Sequence, residues 1–175
     1  MPAYSEIHLG FVGRSAVSNA IAALGIVCND GTQPTAQDLI NGFNFDNTDV
    51  DKLNPQIEAA YMATASRLGW VHLATDSQFR DFDTPHGKRR TSIFGLSFNY
   101  DTDEIGDEPD DCSLGINLSA RYFPTVLDIS DPHGGLAPSN DLARLLSHAE
   151  ICKQEIVKRL PAFEAAHIHL REVFA

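Results

Sequence analysis

Two loops of similar sequence carry the residue types that could form a catalytic or metal-binding site. Residues 81–87 and 128–135 each place a Pro-His-Gly tripeptide close behind carboxylates. Two histidines with nearby carboxylates could bind a metal ion as a two-His-one-carboxylate site, or act as a general acid/base pair, because histidine titrates near neutral pH. Alternatively, residues 131–134 have the residue order of a type I turn, which would make the motif structural. The candidate side chains are Asp83, His86, Asp131 and His133.

The first of these loops continues into the only run of three basic residues in the chain, Lys88, Arg89 and Arg90. Paired cationic groups match the planar oxygens of a phosphate or carboxylate, so the run is a candidate anion-binding site. Two simpler interpretations compete with it: the bases could neutralise the adjacent Asp81 and Asp83, or face the acidic loop of a second copy. We favour these simpler interpretations.

The clearest charge feature is an acidic loop, which we define as residues 101–111. It contains seven carboxylates and no Lys or Arg. The whole chain has 24 acidic and 13 basic residues, a net charge of −11; without the loop, 17 acidic and 13 basic residues leave −4. A run of like charges is usually a solvated surface, and its functional interpretation is a docking site for a basic partner. The seven residues are Asp101, Asp103, Glu104, Asp107, Glu108, Asp110 and Asp111.

Composition excludes several function classes. A net charge of −11 disfavours binding to phosphate backbones and anionic membranes, so we expect no direct nucleic-acid binding and no membrane partner. No apolar run approaches the roughly 18 residues that span a bilayer, and no signal peptide is evident. Three widely spaced cysteines without a C-x-x-C motif argue against a disulfide framework. We therefore expect a cytoplasmic protein, and we predict no cofactor.

These candidate sites must be positioned by a small number of elements. Apolar and polar residues alternate in residues 4–12, 70–75, 94–100 and 114–122, which predicts strands, and the acidic loop connects the last two as a hairpin. Apolar residues at helical spacing predict helices near residues 15–24, 35–43, 55–68, 139–160 and 161–173. The segment between residues 76 and 90 is predicted as a polar loop.

The order of these elements predicts one α+β domain over residues 1–175. Its core would be a small, mainly antiparallel sheet of about four strands, with helices on one face and a long C-terminal helical segment. The other sheet face would carry small and polar residues, and its glycines would allow a ligand or a second chain to approach the backbone.

The leading functional expectation is a non-catalytic interaction module of the inhibitor, immunity or adaptor type, which presents the acidic loop to a protein partner with a basic surface. Near matches to a phosphate-binding loop, a calcium loop and a nucleophile elbow each fail at a required position. The alternative is a small metal-dependent enzyme acting on a phosphorylated or carboxylated substrate. A further alternative is a homo-oligomer subunit that uses the polar sheet face.

Overall fold

The computed structural model describes residues 3–41, 48–77, 79–85, 87–92, 95–100, 112–119 and 139–174. Within these ranges, none of the helices is long and apolar enough to cross a membrane. The strands are β1 (Ala3–Val12), β2 (Val71–Asp76), β3 (Phe79–Thr84), β4 (Gly87–Ser92), β5 (Ser97–Tyr100), β6 (Cys112–Ser119) and β7 (His167–Phe174). The helices are α1 (Arg14–Leu24), α2 (Ala36–Ile40), α3 (Asn54–Arg67) and α4 (Ser139–Arg159), with 3₁₀ helices over Val50–Leu53 and Pro161–Ala165.

The strands form two antiparallel sheets, which confirms the α+β prediction. The larger sheet has the order β5-β6-β1-β7 and the smaller has the order β2-β3-β4. In the larger sheet, side chains such as Leu9, Leu114 and Ile116 are fully buried on the face that packs against the helices. Phe11 of β1 packs against Phe163, with ring centroids 5.5 Å apart. Burial of alternate apolar residues therefore fixes which face of each strand points inward.

The segment of residues 76–90 is a correction to the sequence analysis, because it contains strands where a polar loop was predicted. β3 pairs with both β2 and β4. Few residues of β3 are apolar, so the alternation of apolar and polar residues that identifies a half-buried strand is weak there. The strand is fixed by tertiary contacts: Phe82 is buried against Trp70, and Arg80 forms an ion pair with Glu58 of α3 at 2.6 Å.

The end of the chain is a second correction. The helix predicted from Pro161 stops after one 3₁₀ turn, Ala166 is extended, and β7 then pairs with β1 over eight residues. Apolar residues between 163 and 173 fit helical spacing, but those from residue 168 onward also alternate with period two. Pairing along the free edge of β1 satisfies the backbone hydrogen bonds of this segment and selects the strand.

Tyr61 of α3 ties the helical layer to β6, because its hydroxyl donates a 2.8 Å hydrogen bond to the backbone oxygen of Asn117. Burial raises the pKa of the Tyr61 phenol well above its ordinary value of 10.0, so the group stays protonated and remains a donor.

We predict that Tyr61→Phe lowers the free energy of unfolding by about 1–2 kcal/mol in urea titrations, since it removes a buried hydrogen bond without opening a cavity. Tyr100→Phe, at an exposed position, is the matched control and should change stability by less than about 0.5 kcal/mol. Equal stability of the two variants would contradict the role given to Tyr61.

Glu155 of α4 is a buried carboxylate that accepts hydrogen bonds from Arg67, Lys158 and Arg159 at 2.9–3.2 Å. Its hydrogen bond from Lys158 lowers its pKa below the ordinary 4.5, with Arg159 and Arg67 acting in the same direction. A lowered pKa means that this stabilisation is present above pH 4.5 and is lost as the pH falls through the folded-state value.

We predict that Glu155→Gln lowers the free energy of unfolding at pH 7 by about 1–3 kcal/mol, because Arg67, Lys158 and Arg159 lose their charged acceptor. The difference from wild type should shrink as the pH is lowered below 4.5. Urea titrations at a series of pH values measure this, with the exposed Glu150→Gln as control. A difference that grows on acidification would have the wrong sign for this network.

Candidate functional site

The acidic loop connects β5 and β6, and all four residues of β5 pair with the first four residues of β6. In β5 and β6 the Cα partners run from Ser97 and Gly115 to Tyr100 and Cys112. Tyr100 and Cys112 are the residues on either side of the loop, and the register makes them direct neighbours. The predicted hairpin is thus confirmed, while the seven acidic residues themselves lie outside the described residues.

The base of this hairpin is held in the sheet by a further backbone bond. The amide of Gly13 donates to the backbone oxygen of Cys112 at 2.9 Å. Because hydrogen-bonded and non-hydrogen-bonded pairs alternate in an antiparallel ladder, Ser113 and Gly115 direct their backbone groups toward β5. In β5, the backbone N–H and C=O groups of Ser97 and Asn99 therefore point toward β6. Those of Tyr100 point away from β6, toward the outer edge of β5. Tyr100, the exposed residue that precedes the acidic loop, therefore lies in the outermost described strand of the sheet.

Several basic residues of the described part already have acidic partners there. Arg67, Lys158 and Arg159 converge on Glu155, while Lys52 pairs with Asp49 at 2.7 Å. Arg80 and Arg90 also have carboxylate partners in the smaller sheet or in α3. These cations compensate acids of the body, which is consistent with a nearly balanced body that carries a strongly negative loop.

The basic run Lys88, Arg89 and Arg90 lies on β4, where its members alternate between the two faces of the smaller sheet. Arg90 donates two hydrogen bonds to the Asp81 carboxylate, at 2.8 and 3.1 Å. This bond lowers the pKa of Asp81 below its ordinary 3.8. Asp83 is the Cα partner of Lys88. The interpretation that the run neutralises neighbouring acids is therefore confirmed for Arg90.

A hollow of about 400 Å³ lies beside this run. Its lining includes Leu73, Phe82 and all three bases. Strand alternation and register place Lys88 and Arg90 on the same face as Asp81 and Asp83, so the face has no net positive charge in these four residues. Asp81 also lines the hollow, and its ion pair with Arg90 offsets one of the three positive charges, so the anion-binding site stays a prediction.

The two Pro-His-Gly loops can be placed only in part. Asp83 is exposed on β3, whereas His86, Asp131 and His133 lie outside the described residues. The catalytic interpretation of these four residues remains a prediction.

A histidine group that the sequence analysis did not assign lies on the polar face of the larger sheet. We call it the histidine row: His8 of β1, and His167 and His169 of β7. His8 is the Cα partner of both Asn117 and His169. Ring centroids are 6.4 Å apart for His8 and His169, and 6.1 Å apart for His169 and His167. The signal that could have revealed the row is the alternation of residues 167–174, which was interpreted as a helix.

The glycines of the same face have a different role from the one expected. Gly10 and Gly115 are opposite each other in the register. The ring of the buried His8 lies against both, with its Cε1 atom 2.6 Å from the position that a Cβ would occupy on either glycine. The space above the backbone is thus filled by the protein's own imidazole, which corrects the expectation that it is open to a ligand or a second chain.

Among the described residues, no group of three or more His, Cys, Asp or Glu side chains is arranged to hold a metal ion. Comparison of the chain with protein families, with curated proteins and with solved structures finds no match. The functional argument therefore depends on the geometry and charge of the chain itself.

Proposed function

We propose that the protein is a non-catalytic interaction module of the inhibitor, immunity or adaptor type, which uses the acidic loop to bind a protein partner with a basic surface. One observation carries the proposal: seven carboxylates without a base occupy a single hairpin connection, and the Tyr100–Cys112 pair closes that connection. Because the two flanking residues pair, the acidic loop is attached to the sheet at one defined place.

The physical effect of this charge is mainly on the rate of association. A concentrated field of one sign can raise the association rate with an oppositely charged partner by roughly 10- to 1,000-fold. The effect is screened over about 8 Å at physiological ionic strength, so added salt should reduce it. The same negative field repels nucleic acids, which supports a protein partner.

The proposed compartment is the cytoplasm. Cys28, Cys112 and Cys152 are buried and form no disulfide bond with one another. Burial raises the pKa of the Cys152 thiol to about 12, so it is neutral and unreactive at physiological pH. Cysteines in this state are consistent with a reducing compartment.

Two variants with the same net charge test the proposal. The loop-neutral variant replaces the seven acids of the acidic loop by Asn or Gln. The body-neutral variant replaces seven exposed acids elsewhere. Each has a net charge of −4, because each removes seven of 24 acids. The body positions are Asp30, Asp38, Asp51, Asp76, Asp83, Glu150 and Glu164.

Affinity capture from the native cell, followed by mass spectrometry, uses wild type and both variants as baits. We expect wild type and the body-neutral variant to retain the same basic protein, and the loop-neutral variant to lose it. Retention of that protein by the loop-neutral variant would show that the acidic loop is not the binding surface.

A further inference from the structure

His167 and His169 share one face of β7, because they are two residues apart on a strand. Their ring centroids are 6.1 Å apart and the rings are nearly perpendicular. His167 is exposed and His169 is half-buried, so the pair can be reached from solvent at the His167 end.

The inner ring of this pair has an unused nitrogen. The Nε2 atom of His169 is buried and makes no hydrogen bond to any described residue. Buried polar atoms usually have a partner, so an unused imidazole nitrogen beside a second imidazole points to a ligand that binds nitrogen. First-row divalent transition ions are such ligands.

The geometry suits an ion held by two rings. Imidazoles that bind one ion at about 2.1 Å place their ring centroids roughly 5–6 Å apart, close to the observed separation. No third ligand is in place among the described residues, so water would fill the other positions. His8 is fully buried against Gly10 and Gly115 and is not needed for the pair.

We propose that His167 and His169 form a two-histidine chelate for a first-row divalent transition cation. This site is separate from the acidic loop and independent of the function proposed for it. Affinity should follow the usual order for nitrogen ligands, with Cu²⁺ bound more tightly than Ni²⁺ and Zn²⁺.

Calorimetric titration of the full chain with Ni²⁺ tests the site. We expect one ion per chain in wild type, and an affinity at least about tenfold weaker in both H167A and H169A, because each variant leaves a single ligand. H72A is the matched control, since His72 is an exposed histidine on β2 in the other sheet, and it should leave the affinity unchanged.

A second measurement needs no variant. Substoichiometric Cu²⁺ should broaden the imidazole proton resonances of His167 and His169 in the NMR spectrum of the wild-type protein, and leave those of His72 sharp. Two calorimetric results would overturn the proposal: no binding of Ni²⁺ to wild type at 1 mM, which corresponds to a binding free energy weaker than about 4 kcal/mol, or equal Ni²⁺ affinities for H169A and wild type. In the NMR experiment, equal broadening of the His72, His167 and His169 resonances would overturn it.

Discussion

Gly115→Ala should lower the free energy of unfolding by about 3 kcal/mol or more, a large share of the roughly 5–15 kcal/mol that stabilises a typical domain. The hydrogen bond from Gly13 to Cys112 sets the ladder so that Gly10 and Gly115 form a non-hydrogen-bonded pair, in which the backbones approach most closely. A Cβ on Gly115 would overlap the Leu9 carbonyl oxygen and lie 2.7 Å from the Gly10 Cα. Gly10→Ala should have a similar effect, because its Cβ would overlap the Leu114 oxygen.

Denaturant unfolding measures this loss, and Gly25→Ala is the matched control. A Cβ on Gly25 meets no atom within 4 Å, so only its left-handed φ of 68° is unfavourable and the cost should be about 1 kcal/mol. Adding His8→Ala to Gly115→Ala should not restore stability, because the overlap with the backbone remains. A Gly115→Ala protein as stable as Gly25→Ala would show that the two strands are farther apart than the structure has them.

Neutralising the acidic loop should have the largest effect on binding. We predict that the loop-neutral variant associates with a basic partner about 10- to 100-fold more slowly than wild type at low ionic strength, because it loses the concentrated field that accelerates encounter. The dissociation rate should change less, since charges at the rim of an interface act mainly on association.

Stopped-flow mixing at increasing salt checks this prediction. Wild-type association should slow steeply as salt is added, while the loop-neutral variant should respond weakly, so the two rates converge near 1 M salt, where the screening length is about 3 Å. Parallel salt curves for the two proteins would mean that the acidic loop does not accelerate association.

The elements around the acidic loop were predictable because local and tertiary signals agree there. Leu114 and Ile116, which are buried, alternate with Gly115 and Asn117; this alternation indicated the strand and its buried face, and the acidic loop marked the turn. Thr35 stands at the start of the helix predicted near residues 35–43, and its side chain caps that helix by accepting a hydrogen bond from the amide of Asp38. In both cases the residues that indicate the element in the sequence are also the ones whose burial or hydrogen bonds stabilise it in the structure.

The smaller sheet and β7 were not predictable, because distant contacts decide them. Arg80 and Phe82 are held by Glu58 and Trp70, which lie more than ten residues earlier in the chain. β7 depends on pairing with β1, from the opposite end of the chain. The histidine row requires that pairing. The helix predicted over residues 161–173 gave no reason to place His169 beside His8, so the row was missed.

The most direct test of the central claim is the association rate of the loop-neutral variant relative to that of the body-neutral variant, measured with one basic partner at one low ionic strength. Both proteins have a net charge of −4, so any difference depends on where the charge lies. We predict that the body-neutral variant associates at least about tenfold faster than the loop-neutral variant, because only the body-neutral variant keeps the concentrated field. Equal rates would contradict the claim that the acidic loop is the binding surface.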